Sequence, residues 1–194
     1  MRIIFFLGFL LLNGCVTHIA SPTKIYSWKH RLSLLSHLSH WHLQGAVALR
    51  TVHKAWSVSF VWQQQSPNYT LHLFGPLGLQ QMELIGSSSQ VALSTSSKPM
   101  LVAKNADELL YRELGWHLPV NQLLYWIKGI PVPNKRAICQ WDTLHRLSNL
   151  KQDHWEIKYN EYTNIQGMDL PIKLILINPQ YQLQVKLIIR QWQL

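Results

Sequence analysis

Apolar residues along this chain change their spacing three times, and each change predicts a different element. Ile25, Trp28, Leu32, Leu35 and Leu38 fall three or four apart, which puts them on one face of an amphipathic helix. From Trp41 the spacing becomes two. Trp41, Leu43, Val47 and Leu49 alternate with His42, Gln44, Ala46 and Arg50, with Gly45 interrupting the apolar row, and the alternation predicts a half-buried strand. Trp56, Val58, Phe60 and Trp62 form the next row against Ser57, Ser59 and Gln63. Tyr69, Leu71 and Leu73 repeat it beyond the turn at Ser66-Pro67-Asn68. Met82 to Ile85 and Val91 to Leu93 predict two shorter strands on either side of Gly86-Ser87-Ser88-Ser89. Links this short predict antiparallel neighbours.

The middle of the chain returns to helical spacing. Asn105 with Glu108 three residues on resembles a capping arrangement, Leu109, Leu110 and Leu114 share a face, and Gly115 ends the segment. A second short helix is predicted from Pro119, a good first-turn residue, through Leu123, Leu124 and Ile127 to Gly129. After Pro131 and Pro133, strands resume at Ile138 to Leu147, Trp155 to Tyr162, Leu170 to Ile177 and Leu183 to Trp192. About nine or ten strands in hairpin order, one helix in front and two inserted, predict a mainly β fold. Its form is a strongly curved antiparallel sheet or barrel whose concave side the helices cover.

The chain start follows another logic. Arg2 supplies a positive n-region, Ile3 to Leu12 an apolar h-region broken only by Gly8, and Leu12-Asn13-Gly14-Cys15 follows at once. About ten apolar residues rise only about 15 Å as a helix, roughly half the hydrocarbon thickness of a bilayer, so cleavage is expected rather than spanning. The end of this segment resembles a lipobox, with Asn13 its least typical member. That resemblance implies that Cys15 is diacylated on sulfur, cleaved and N-acylated; otherwise Cys15 is an ordinary thiol behind an unrelated apolar start. Val16 rather than Asp follows it, which in enterobacterial lipoproteins points to the outer membrane. The expected organisation is residues 1–14 as signal, 15–23 as lipidated tether and 24–194 as one domain.

Only Cys15 and Cys139 occur, so a lipidated Cys15 leaves no partner for a disulfide and the core must hold itself. Removing the signal leaves about 180 residues, and the 47% hydrophobic fraction argues against disorder. Net charge is +9, or +8 once Arg2 is lost. Basic balance without Lys/Arg runs or a nucleic-acid motif points to anionic lipid headgroups or an acidic protein partner rather than nucleic acid. A merely basic, soluble surface has the same composition. No GxSxG elbow, HExxH motif or phosphate-cradling glycine loop occurs, and nine Asp plus Glu leave few acid-base pairs. No catalytic residue or cofactor is expected. His37, His40 and His42 lack acidic or cysteine neighbours, so they read as solvated side chains rather than metal ligands. Asn68-Tyr69-Thr70 matches a glycosylation sequon but reads as a turn entering a strand.

Several strings, in order behind the lipobox, resemble the LolB family of outer-membrane lipoproteins. They are Trp41 with Gly45-Ala46-Val47, Phe60-Val61-Trp62-Gln63-Gln64, Tyr69 through Gly75-Pro76-Leu77-Gly78, and Ala106-Asp107-Glu108-Leu109-Leu110. Leu118-Pro119-Val120 and Leu123 follow, then Trp126-Ile127-Lys128-Gly129-Ile130-Pro131, and Trp155, Tyr159, Tyr162, Leu170-Pro171 and Trp192 in the tail. The chain departs from the pattern in its short tether and in the Gln-rich, Gly-poor stretch from Gln140 to His154, which leaves loop lengths open.

The resemblance implies an unclosed antiparallel barrel with a helical lid around an apolar cavity, held at the periplasmic face of the outer membrane by lipid on Cys15. It implies a monomer that accepts lipoproteins from the periplasmic carrier LolA and inserts them among outer-membrane phospholipids. Inward residues Trp62, Leu71, Leu73, Trp126 and Leu174 are candidates to line a route for acyl chains. At least half of the nine tryptophans read as plain barrel core rather than as part of such a pocket. In the Gly75-Pro76-Leu77-Gly78 loop the resemblance makes Leu77 an exposed apolar tip acting on the membrane; from the residues alone a tucked residue capping the core is as good a reading. A lipoprotein that binds or senses a free lipid would share this fold and cavity.

Overall fold

The computed structural model describes residues 26–75 and 81–194. The signal, Cys15, the tether and the Pro76, Leu77 and Gly78 positions lie outside the described residues. The chain opens with α1 (Trp28–His37), capped by the Ser27 hydroxyl, which accepts from the His30 N–H at 3.3 Å. The strands β1 (His40–Arg50), β2 (Ala55–Gln65) and β3 (Asn68–Phe74) follow, then β4 (Met82–Gly86), β5 (Val91–Thr95) and β6 (Lys98–Ala103). Two helices, α2 (Ala106–Leu114) and α3 (Val120–Trp126), separate these from β7 (Ile138–Trp141), β8 (Leu147–Gln152), β9 (Trp155–Ile165), β10 (Met168–Asn178) and β11 (Leu183–Gln193).

The described strands form one 11-stranded antiparallel sheet in the order β6-β5-β4-β3-β2-β1-β11-β10-β9-β8-β7. Each half is a meander, and pairing of the first strand with the last welds the two halves. The ends, β6 and β7, do not pair with each other, so the barrel stays open, and the chain between them is the α2–α3 segment. Inward rows from both halves join α2 and α3 in one apolar core that includes Leu43, Leu84, Leu109, Val120, Trp126, Ile157 and Leu176.

The bend at the weld depends on Gly45. The register between β1 and β11 shifts at Gln44/Gly45, and a Cβ at Gly45 would stand 2.2 Å from the Ile188 carbonyl oxygen and 2.9 Å from the Phe60 ring. Glycine there continues the inward row by letting two backbones and a ring approach closely. Gly45→Val is expected to cost about 2 kcal/mol or more, seen as a lower urea midpoint with an unchanged slope. An unaltered midpoint would show that the weld tolerates a side chain.

Several expectations need correction. The segment from Ile138 to Leu147 is a hairpin rather than one strand. Asp142 Oδ1 accepts the N–H of Leu144 and of Arg146, both at 2.9 Å, and turns the chain between β7 and β8. β6 was hidden by Pro99; as an edge strand it tolerates a residue without an N–H. The buried face of α1 centres on Arg31 and Leu35, not on leucines alone. Asn105 and Gly115 do cap α2 as expected, with the Asn105 side chain accepting from Glu108 N–H at 2.8 Å and Gly115 in the left-handed region.

Candidate functional site

The concave interior is built by strand alternation on one side and by α2 and α3 on the other. All five candidate lining residues, Trp62, Leu71, Leu73, Trp126 and Leu174, are buried in the shared core. Three stand together, because Trp62 pairs in register with Leu71 and Phe60 with Leu73 across β2 and β3. The other two lie in the second half. Leu174 pairs with Leu187 of β11 and with Tyr159 of β9, and the Tyr159 hydroxyl donates to the Trp126 carbonyl at 3.0 Å. These five side chains pack against neighbours, so an alkyl chain enters among them only when side chains or helices shift.

Sequence reasoning did not find the residues that organise this interior. Rings of Trp192, Trp41, Trp62 and Tyr69 form a row with centroid separations of 5.8, 5.4 and 6.1 Å. Within it the Trp62 indole N–H and the Tyr69 hydroxyl are buried without a partner. Burial, then the Asp107 carboxylate, pushes the Tyr69 hydroxyl above its ordinary pKa, so it stays neutral. Gln64, which continues the inward row after Trp62, is also buried, and its Oε1 is unpartnered. Unpaired polar atoms in such an interior are costly, which marks this end of the barrel as unlike ordinary core. The signal available beforehand was Gln64 itself, a polar residue in phase with Phe60 and Trp62.

The lid is held by a small set of polar contacts. Trp126 donates its indole N–H to Gln152 Oε1 at 3.0 Å, and the same oxygen accepts the Val132 N–H at 2.9 Å. Gln152 Nε2 returns a bond to the Val132 carbonyl at 3.0 Å. Asp107 of α2 accepts the Val120 N–H at 3.1 Å and so joins the two helices; burial nonetheless raises its carboxyl above the usual range. Lys128, just past α3, reaches the Leu38 carbonyl at 3.1 Å and ties the lid to the end of α1. In turn α1 is fixed by the buried Arg31–Asp169 ion pair at 2.7 Å. Two further polar contacts join α3 to the sheet half beneath it, the Tyr159 hydroxyl donating to the Trp126 carbonyl at 3.0 Å and Gln122 Nε2 donating to Asp153 Oδ2 at 3.1 Å.

Beneath α3 lies a cavity of about 130 Å³, where Trp41 and Gln64 face Leu124, Tyr125 and Lys128. A larger cleft of about 480 Å³ is lined by Arg136, Ile138, Lys151 to Glu156 and Pro179, none of which belongs to the candidate route. Among the described residues no three of His, Cys, Asp and Glu gather as metal ligands would. His37 Nδ1 meets the Ser33 carbonyl and His40 Nδ1 the Ser39 hydroxyl. Cys139 is half-buried, and burial raises its thiol pKa, which suits a packed side chain rather than a nucleophile.

An open, curved antiparallel sheet with helices on its concave side defines a protein of the LolA-like fold. A LolA superfamily protein from Nitrosomonas europaea shares it with a TM-score of 0.61, over 87% of this chain and 94% of that chain at 8% identity. A Vibrio parahaemolyticus domain described as an outer membrane lipoprotein-sorting protein does so at 0.58, over 85% and 89% at 6% identity. Identities this low speak for fold alone. The family model for the outer membrane lipoprotein LolB matches residues 39–192. Proteins named Outer-membrane lipoprotein LolB from Stutzerimonas stutzeri and Pseudomonas aeruginosa are 31% and 34% identical, covering 95% and 94% of this chain and 91% of each relative. The Coxiella burnetii protein of that name is 33% identical over 96% of this chain and 90% of its own length. The chain belongs to the LolB family of outer-membrane lipoproteins.

Proposed function

We propose that this protein, anchored through lipid on Cys15, accepts lipoproteins from a LolA-type periplasmic carrier and inserts them into the outer membrane. The observation that carries this reading is the single apolar core shared by sheet and lid, in which Val120, Leu123 and Trp126 pack with Trp62, Leu71, Leu73 and Leu174. A lid held mainly by apolar contact exchanges those contacts for alkyl chain at little net change in buried area. Each methylene exposed to water costs about 0.8 kcal/mol, so chains of roughly sixteen carbons cannot cross water at a useful rate, and a continuous apolar path is required. Along such a path a gradient of a few kcal/mol towards the bilayer is sufficient.

The membrane step is assigned to Leu77. It lies in the connection between the end of β3 at Phe74 and the start of β4 at Met82. A proline and two glycines around one large aliphatic residue suit a tight turn with Leu77 at its apex. Burial of a leucine there gains about 1.5 to 3 kcal/mol, enough to dip into lipid and too little to anchor.

The test mixes the Cys15→Ala chain with a LolA–lipoprotein complex and follows whether the cargo changes partner. Transfer is expected; cargo remaining on the carrier would favour a protein that binds free lipid instead. In the lipidated protein, Leu77→Glu is expected to leave reception intact and to abolish delivery into vesicles. Loss of both would remove the tip role.

A further inference from the structure

Negative charge is confined to the middle of this chain. All nine acidic residues fall between Glu83 and Asp169, so β1, β2, β3 and β11, which are neighbours in the sheet, carry none. The turn between β1 and β2 concentrates the opposite charge. Arg50 ends β1 and Lys54 precedes β2; both are exposed, neither pairs with a carboxylate among the described residues, and Lys54 lies over the Trp56 ring at 6.0 Å. The Thr51 N–H donates to the Lys54 carbonyl at 2.8 Å, and the Lys54 N–H donates to the Thr51 hydroxyl at 3.1 Å. This closed turn holds Val52 and His53 at its apex. Val52 is 66% exposed, more than any other large apolar side chain among the described residues.

Strand register places this apex. Phe74, the last residue of β3, pairs with Ser59, whereas β1 and β2 stay paired as far as Arg50 and Ala55. The β1–β2 hairpin therefore projects about four residues, or about 13 Å, beyond β3, at the end of the barrel from which the β3–β4 connection also leaves. Carboxylates on elements that reach this end have partners of their own: Glu83 meets His72, Glu113 meets Arg112 and Asp153 meets Lys135. At the opposite end, α1 leads into the start of β1. Eleven residues lead from Cys15 to Tyr26. Extended, they span at most about 40 Å, against about 36 Å for a strand the length of β1, so an anchored chain lets the hairpin end reach the bilayer.

We propose that the β1–β2 turn is a second membrane-contacting element, in which Val52 enters the interface of an anionic phospholipid surface and Arg50 and Lys54 meet its phosphates. A fluid interface accepts a protruding apolar apex without a complementary pocket, which an acidic protein would have to provide. The assignment shares the membrane step proposed for Leu77 but rests on residues of its own. Contacts on two neighbouring hairpins fix how the barrel stands on the bilayer, which a single tip does not.

The test measures binding of the Cys15→Ala chain, whose affinity is not masked by an anchor, to vesicles of phosphatidylcholine alone and of an equal mixture with phosphatidylglycerol. The anionic vesicles are expected to bind it about tenfold more tightly, a gain that fades in high salt. Arg50→Gln/Lys54→Gln is expected to remove that gain, and Val52→Asp to weaken binding to the anionic vesicles about fivefold. Lys29→Gln/Arg190→Gln, which loses the same charge at the other end of the barrel, is expected to keep it. Equal losses in the two double variants, or full binding by Arg50→Gln/Lys54→Gln, overturn the proposal. If Arg50→Gln/Lys54→Gln slows cargo exchange with a LolA-type carrier but leaves vesicle binding unchanged, the turn meets an acidic protein and the lipid contact falls. Leu77→Glu is expected to leave the dependence on phosphatidylglycerol in place, and delivery of cargo by the lipidated protein is scored separately. Failure of the turn therefore leaves Leu77 standing, and delivery that survives Leu77→Glu removes the tip alone.

Discussion

Asp169→Leu is expected to destabilise the protein by about 3–5 kcal/mol, and the double variant Arg31→Met/Asp169→Leu to recover most of that loss. The pair lies at 2.7 Å with both side chains 4% exposed, joining α1 to β10. Arg31 also donates to the Leu144 carbonyl at 3.1 Å, and Asp169 accepts from the Asn164 side-chain amide at 2.8 Å, so the two charges sit in a supporting network. Removing the carboxylate leaves a guanidinium without its counter-charge in a place where water does not reach. Removing both replaces a compensated pair by apolar volume, which buried sites often accept without loss. A typical domain has only about 5–15 kcal/mol to lose, so the single variant should show a much lower urea midpoint. Comparable destabilisation in the single and double variants would mean that packing, not uncompensated charge, dominates there. The consequence reaches the lid, because a loosened α1 no longer presents the Leu38 carbonyl to Lys128.

How far these features could be read beforehand follows from what hydrophobic spacing encodes. Alternation at Trp41 to Leu49, Trp56 to Trp62 and Tyr69 to Leu73 gave the inward faces of β1, β2 and β3, because each strand has one wet and one dry side. Asn105, Glu108 and Gly115 bounded α2 because capping is a local interaction. Arg31 and Gln64 broke the pattern. Both are polar residues at buried positions, justified by partners or cavities that lie far along the chain, and spacing within one element carries no record of these. The same limit hid Gln152, whose acceptor for Trp126 is defined only once β8 folds back under α3. For the site, spacing identified Trp62, Leu71, Leu73, Trp126 and Leu174 as inward residues. The row from Trp192 to Tyr69 needed the β1–β11 weld before it existed. Lys128, in a string that reads as an ordinary helix end, became conspicuous only through its burial.

Trp126→Ala is expected to cost about 3–5 kcal/mol, the usual range for deleting a large buried ring. The side chain is fully buried, its ring lies 6.1 Å from that of Trp155, and its carbonyl receives the Tyr159 hydroxyl. Trp126→Phe is the milder change, since it keeps one six-membered ring in place and removes the indole N–H together with the rest of the five-membered ring. Gln152 Oε1 still accepts from Val132, so it is not left bare, and the loss should be nearer 1–2 kcal/mol. The alanine variant should also speed hydrogen exchange at the Val132 N–H, because its acceptor loses the indole that helps fix it. A lid released in this way tests the proposed entry route. If alkyl chains enter by displacing α3, apolar probes should bind Trp126→Ala faster than the wild type despite its lower stability. Slower or unchanged entry, with the fold intact by near-ultraviolet circular dichroism, would place the gate at another element.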